Sequence, residues 1–458
     1  MKKKKADACH DDLNQFLKDI KQAGDLIEIN EPVSPKFTMG AILKKLGEGM
    51  GQAVLFADVT GYPGHVVAGN LLGHRRRIAQ AFRVREEEIA KTYVERKNHR
   101  VSPVVVDSSP VKEVTYKADD LDLLENLPAL THHEKDASPY LTTGVIFAKD
   151  TESGGQSMGL HRIQVLDGQR LAMELATPPI SMFMEKSWQL DKAFEIAIVI
   201  GPDPAVTIAA VTRSPKGDDK IEIAGGFRQK AVEMVKCDTV DLTVPAHSQY
   251  LIEGIIEQNA MVHEGPFGDS TGTYLEKESP MMKLTAFSHR KEPIFQALQT
   301  WSSEDDALLN LCFTSDLLQE IGVGYPFVRD LHMVSGTLFN HIVASVDTTT
   351  RAAKRSAMTA LLNGNPFVKQ IVLVDKDIDI RSFREVEWAM ATRFQADRDL
   401  LVLTDIQGSY IDPSVAPDGT ASKIGMDATY PNDQIQRFEK ITVPAENVEL
   451  ARKILEKF

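Results

Sequence analysis

Between about residues 113 and 300 the chain runs through short strand-like segments separated by turn residues, and this texture constrains its fold more than any other feature. LTTGVIFAK, HRIQVLDGQRLAMEL, FEIAIVIG, AVTIAAV, EMVKC, DLTVPA and TAFSHR follow one another, and LDGQ at Leu166–Gln169 contains a hairpin signal. Many short strands in succession make an antiparallel barrel or sandwich. The apolar stretch FEIAIVIGPDPAVTIAAV from Phe194 reads as two buried strands around a Gly-Pro-Asp-Pro turn, since that interruption is too short-spaced for a membrane helix.

The flanks differ in texture. In DDLNQFLKDIKQAGDLIEI, Leu13, Phe16, Leu17 and Ile20 recur at helical spacing, Asp11 or Asp12 can cap the start, and Leu26–Ile29 reads as a strand. Helix and strand signals alternate to about residue 110. From about 304 they alternate again, with KQIVLVDKDIDI as a strand and acidic loop and FREVEWAMATRF as an amphipathic helix. The expected division is therefore 1–112 (α/β), 113–303 (β) and 304–458 (α/β). At 458 residues each part can bury a full core.

A net charge of −13 argues against nucleic acid as a partner, because phosphate binding relies on a basic surface. The two basic runs do not alter this: Lys2–Lys5 reads as a frayed terminus and Arg75–Arg77 as a solvated helix start. Cys9, Cys237 and Cys312 are far apart and form no CxxC, which excludes a disulfide framework or thiolate zinc site. With no apolar run near the ~20 residues of a membrane span and no apolar stretch behind the first lysines, the expected location is the cytoplasm.

HEGPFGDSTG, residues 263–272, sets Glu264 and Asp269 on either side of Gly-Pro-Phe-Gly. Read as a turn, the segment brings the two carboxylates together; an extended strand would hold them roughly 15 Å apart or more. Two close carboxylates repel, which is the usual basis of an acid/base pair, while the bland reading is a surface turn with two solvated acids. His132, His133 and Glu134 resemble metal ligands, but neighbours on a strand point to opposite faces and would not share one ion. Arg162 lies on the same strand face as Gln164 and Leu166, and an inward arginine needs an anion, whether a structural partner or a substrate. Trp301 reads as a core aromatic, with the lining of a substrate pocket as the alternative.

THHEKDASPYLTTGVIFAKD, GLHRIQVL, VKCDTVDLTVPAHSQYLIEG, HEGPFGDSTG, EVEWAMATRFQADRD and ASKIGMDAT together resemble the UbiD family of decarboxylases in order and spacing. The resemblance implies an N-terminal α/β domain, a central split β-barrel of flavin-reductase type and a C-terminal α/β domain for oligomerisation. It implies reversible, non-oxidative decarboxylation of an aromatic or α,β-unsaturated acid by prenylated FMN, held with Mn2+ or Mg2+ and K+. It also implies a flavin prenyltransferase as cofactor supplier and a homo-oligomer, dimer or hexamer, with a second UbiD-like subunit in some members. By motif position the catalytic trio is Arg162, Glu264 and Asp269. Arg162 would bind the substrate carboxylate, Glu264 would help position it, and Asp269 would return a proton to the carbon if burial and its acidic neighbour raise its pKa.

The cofactor-binding positions are Ser157, Leu160, His161, Arg162, Glu174, Pro179 and Lys220, and several depart from the family pattern. Ser157 stands where the family has a metal-binding asparagine, Pro179 near its histidine, Lys220 at its glutamate, and Glu174 near a phosphate-binding arginine. Glu222 lies on the same face as Lys220 if that segment is extended. Serine is a weak ligand for a hard cation, proline offers none, and lysine repels it. Glu174 and Lys220 could pair with each other instead. Two readings follow. In one, a working decarboxylase or carboxylase binds its flavin differently, with Lys220 taking over charge neutralisation from the metal. In the other, the chain is a cofactor-free structural or regulatory subunit of a hetero-oligomeric carboxylase.

Overall fold

The computed structural model describes residues 10–175, 177–215, 217–430 and 435–455; Lys2–Lys5 and Cys9 lie outside them. The chain forms two compact units, Met1–Asp316 and Leu317–Phe458.

The first unit is organised by a barrel. Its strands are β1 (Tyr140–Lys149), β2 (Gln156–Val165), β3 (Arg170–Met173), β4 (Phe194–Ile200), β5 (Tyr250–Ile256) and, beyond the shorter β6 (Met261–Gly268), the long β7 (Tyr274–His289). Among the described residues, antiparallel pairings run β1–β2–β3–β7–β5–β4 and back to β1, so six strands close on themselves. β6 pairs with the first half of β7 as an outlying hairpin. Closure leaves the barrel strands no free edge.

Both faces of the barrel are covered. Ile196, Ile198 and Ile200 of β4 join one core cluster with Ile163, Val165, Ile252 and Phe287. Ala197 and Val199 of the same strand join another, with Met158, Val206 and Ile221. That is why FEIAIVI is apolar without alternation.

Two segments expected to be extended are helical. AVTIAAV lies in the helix Pro204–Val211, where the Asp203 side chain accepts from the Ala205 amide at 2.8 Å and proline occupies the first turn. A short run that is apolar all round reads alike as buried strand or buried helix, and here the Asp-Pro cap decides. Lys220–Arg228 is likewise a helix, capped by Asp219. Glu222 is therefore turned roughly 200° away from Lys220 and does not share its face.

Strand pairing ties the N-terminal segment to the barrel segment. Ile294–Ala297 pairs in parallel with Val66–Gly69, extending the sheet of Leu26–Val33 and Ala53–Val59, and Val104–Val105 pairs with Glu233–Lys236. The second unit holds a mixed five-stranded sheet in the order Val328–Met333, His341–Val346, Gln370–Asp375, Thr420–Asp427, Leu400–Gln407. No described helix is long and apolar enough to cross a membrane.

The arginine run at 75–77 does begin a helix, Arg75–Phe82, but it is not solvated. Arg77 is fully buried, bonding Asp25 at 2.9 Å and the carbonyls of Gly51, Asn70 and Leu71, while Arg76 bonds the same carboxylate. The tertiary position of Asp25 turned a solvated charge into a buried network. Burial works against the Asp25 charge, but hydrogen bonds from Arg76 and Arg77 outweigh it and hold the carboxyl below its ordinary value. This contribution is present above the ordinary carboxylate range and is lost as pH falls through the depressed value. Arg77→Ala is expected to destabilise the first unit by roughly 3–5 kcal/mol, the cost of stranding a buried charge. Denaturant unfolding checks this, and a loss under about 1 kcal/mol would show the network to be incidental.

Candidate active site

The segment around Glu264 and Asp269 is a bulged strand and not a turn. In β6, Glu264 pairs with Lys277 and Phe267 with Leu275, so three steps on one strand oppose two on the other. The extra residue falls at Gly265–Pro266, a bulge that Gly265 accommodates at φ +103°. The Gly265 amide donates to Gln164 Oε1 of β2 at 3.0 Å, which pins the bulge to the barrel wall. The reversal comes later, where the Gly272 amide donates to the Asp269 carbonyl. Gly268 is clamped between: its amide donates to Asp136 Oδ1 at 2.9 Å, its carbonyl accepts from Thr300, and a Cβ there would lie 2.2 Å from the His133 ring.

This backbone delivers both acids to Arg162 of β2. Arg162 Nε donates to Glu264 Oε1 at 2.8 Å and Nη1 donates to Asp269 Oδ2, while the guanidinium lies 5.5 Å from the centre of the Phe267 ring. The guanidinium thus sits between the two carboxylates, each taking a different nitrogen. Glu264 is completely buried and its second oxygen accepts from Ser279 at 2.6 Å. Asp269 retains 16 % side-chain exposure and, among the described residues, Oδ1 has no side-chain partner. Arg162 Nη2 likewise has no protein acceptor there. Burial opposes the charge on Arg162, but the Glu264 and Asp269 carboxylates outweigh it, so its pKa is raised and it stays a cation.

Below the trio on the same strand, Ser157, Gly159 and His161 share a face, and Leu160 packs against the core on the other. The Ser157 hydroxyl is buried without a partner. The His161 ring folds over Gly159, where a Cβ would lie 2.6 Å from Nε2, and Nδ1 bonds the Glu174 carbonyl at 2.8 Å. Glu174 does not pair with Lys220. Its carboxylate takes Lys277 of β7 at 2.5 Å, a partner that only the barrel's closure supplies. Lys220 Nζ finds the Ala210 carbonyl at 3.0 Å, and burial pulls its pKa down to about 8. Pro179 heads the helix Ile180–Gln189 and offers no donor atom.

A divalent metal does not fit these positions. The positions expected to ligate it carry a hydroxyl, a proline and an ammonium, and among the described residues no group of three His, Cys, Asp or Glu is placed to hold one. His132 and His133 both turn to the Gln299 amide, at 3.0 and 2.8 Å, in a loop that is not a strand.

The closed barrel agrees with the fold that the resemblance implies. Residues 17–97, 104–302 and 308–428 match the N-terminal, Rift-related and C-terminal domains of 3-octaprenyl-4-hydroxybenzoate carboxy-lyase. The chain is 33 % identical over 437 residues to the anhydromevalonate phosphate decarboxylase of Methanosarcina mazei, covering 94 % of this chain and 99 % of that one. The chain belongs to the UbiD family. It is a UbiD-type carboxy-lyase. Among solved structures, the UbiD-class enzyme HmfF of Pelotomaculum thermopropionicum in complex with FMN superposes with a TM-score of 0.91 at 33 % identity, covering 96 % of this chain and 99 % of that one. An evolved dimeric form of HmfF in complex with prFMN gives 0.87 at 31 % identity over 96 % and 98 %.

Sequence reasoning passed over several groups around this UbiD site. Lys277 carried no motif, and its role depends on strand register. Trp301 is not a core residue: it is 43 % exposed, lies flat against the Gly272 turn and carries the Lys44 ammonium 4.3 Å above its ring. Asp305 accepts from the Trp301 amide at 3.1 Å. Burial first, then the charges of Asp306 and Asp269, push its carboxyl up to about 7 against the opposing Ser270 hydrogen bond.

Two outcomes are expected from these groups. A folded-state carboxyl raised to about 7 binds a proton that the unfolded chain has released, so Asp305 should cost stability progressively as pH climbs from the ordinary carboxylate range towards 7. Asp305→Asn should therefore gain stability over the wild type across that window in unfolding measurements; parallel pH curves would refute the assignment. Lys277→Met should destabilise by about 1–3 kcal/mol by stranding Glu174, and adding Glu174→Met should recover most of the loss. Additive losses in that cycle would show that the pair is not coupled.

Proposed function

We propose that this UbiD-type carboxy-lyase performs non-oxidative decarboxylation of an unsaturated carboxylic acid, aromatic or α,β-unsaturated, with Arg162, Glu264 and Asp269 as its catalytic residues. The observation that carries the reading is the free Nη2 of Arg162 beside a carboxylate with one free oxygen. The name of the Methanosarcina relative favours a dehydrated, non-aromatic acid over an aromatic one.

Prenylated FMN, as in the HmfF neighbour, would supply the electron sink that lets the bond to the carboxylate break. The protein's own part follows from the site. Arg162 donates to the substrate carboxylate through Nη2 and fixes its orientation, while Glu264, saturated by Arg162 and Ser279, holds the guanidinium in place. One cation and two carboxylates leave the trio at −1, so a substrate carboxylate brings a second uncompensated negative charge. A proton on one acid restores the balance, and Asp269, with its free oxygen and partial exposure, is placed to carry it. When the carboxylate leaves as CO2, Asp269 passes that proton to the substrate carbon. A flavin prenyltransferase would supply the cofactor.

Co-expression with a flavin prenyltransferase is expected to yield protein with visible absorbance and a releasable prenylated flavin by mass spectrometry. Colourless protein without flavin, even after reconstitution, would instead favour the cofactor-free subunit, the reading that the absent metal ligands support. In the loaded enzyme, Asp269→Asn should lower CO2 exchange by about 100-fold or more with the melting temperature unchanged; undiminished exchange removes Asp269 from the mechanism.

A further inference from the structure

We propose that Asp305 stores the proton that Asp269 delivers, passing it across the turn between β6 and β7 once a carboxylate ligand has taken Arg162. This rests on the reading of Asp269 as the acid and adds the source of its proton.

The structure ties Asp305 to that turn at both ends. Thr300 Oγ1 donates to the carbonyl of Gly268, the residue before Asp269, at 2.6 Å. The Trp301 ring covers Gly272, where a Cβ would lie 2.9 Å from it, and the Gly272 amide closes the turn on the Asp269 carbonyl at 3.0 Å. Two consecutive residues thus grip the turn that carries Asp269. Asp305, in the first turn of the helix Ser303–Gly324, accepts from the Trp301 amide at 3.1 Å and meets the hydroxyl of Ser270, the residue after Asp269. It sits behind the turn at 8 % exposure.

Charge decides where the proton rests. Asp269 has the Arg162 guanidinium against it. Among the described residues Asp305 has no cationic partner: Asp306 of its own helix and Asp269 across the turn are both acids, and Lys44 of the helix Thr38–Glu48 meets the Trp301 ring instead. A buried carboxyl beside two acids and no cation keeps its proton, and burial above all raises this one to about 7. A ligand carboxylate on Arg162 Nη2 adds negative charge at the guanidinium that Asp269 shares, while Asp305 stands back from it. The balance then moves the proton to Asp269. The Asp305 O–H proton goes to the Ser270 hydroxyl, which gives its own to the free Oδ1 of Asp269, and Asp305 is left a carboxylate. Once Asp269 has protonated the carbon, one proton from water, entering at the partly exposed Asp269, restores the resting pair. Asp305 acts through Asp269 and touches no reacting atom.

Infrared difference spectra of the full-length protein from the co-expression above, with crotonate as the carboxylate probe and just below neutral pH, read both acids. Adding crotonate is expected to remove a carboxylic-acid band that Asp305→Asn lacks and to raise one that Asp269→Asn lacks. A gain at Asp269 with no loss at Asp305 overturns the proposal and leaves the Asp269 reading standing. A loss at Asp305 with no gain at Asp269, or no carboxylic-acid change at all, sinks both. A second measurement needs no ligand. The unfolding free-energy difference between wild type and Asp305→Asn follows the titration of Asp305. In an Asp269→Asn background that difference should reach its plateau about half a pH unit or more lower, because one facing charge is gone. Superimposable curves in the two backgrounds would show that the acids do not sense each other, and would overturn the proposal.

Discussion

The first unit is built around one guanidinium held between two carboxylates inside a barrel wall. Arg162 would be costly in an apolar enclosure, and Glu264 and Asp269 remove that cost by taking two of its nitrogens. Much of the surrounding backbone serves this arrangement. Gln164 grips the bulge, Asp136 and Thr300 clamp Gly268, and Ser279 occupies the far oxygen of Glu264. The third guanidinium nitrogen is left over, and an unsatisfied donor on a charged group is what a carboxylate ligand requires.

The cofactor end of the site follows a different logic. The resemblance leads one to expect metal ligands at Ser157, Pro179 and Lys220 and an arginine near Glu174, and the chain has none of the four. A buried glutamate without a cation would be costly. Instead Glu174 is matched by Lys277 on the neighbouring strand, and Lys220 meets the Ala210 carbonyl.

Legibility from sequence varied with the range of the interactions involved. Local signals were sound: Asp12 caps the first helix, whose buried face is Leu13, Phe16, Leu17 and Ile20, and LDGQ turns the chain between β2 and β3. The resemblance singled out Arg162, Glu264 and Asp269, and the fold brings the three together. Where strand and helix had equal claims, as in AVTIAAV and the Lys220 segment, periodicity could not arbitrate and short caps did. Charge partners were the weakest point. Arg77, Glu174 and Trp301 all acquired surroundings that lie far away along the chain.

The amino-acid sequence by itself determined the strand-rich centre between two α/β flanks and the family, because those depend on composition, spacing and motif order. Tertiary structure alone decided that Gly-Pro is a bulge, that Glu174 belongs to Lys277 and that Lys220 meets the Ala210 carbonyl. Each of these is set by which strands lie side by side once the barrel closes, and strand register places in contact residues that nothing local brings together.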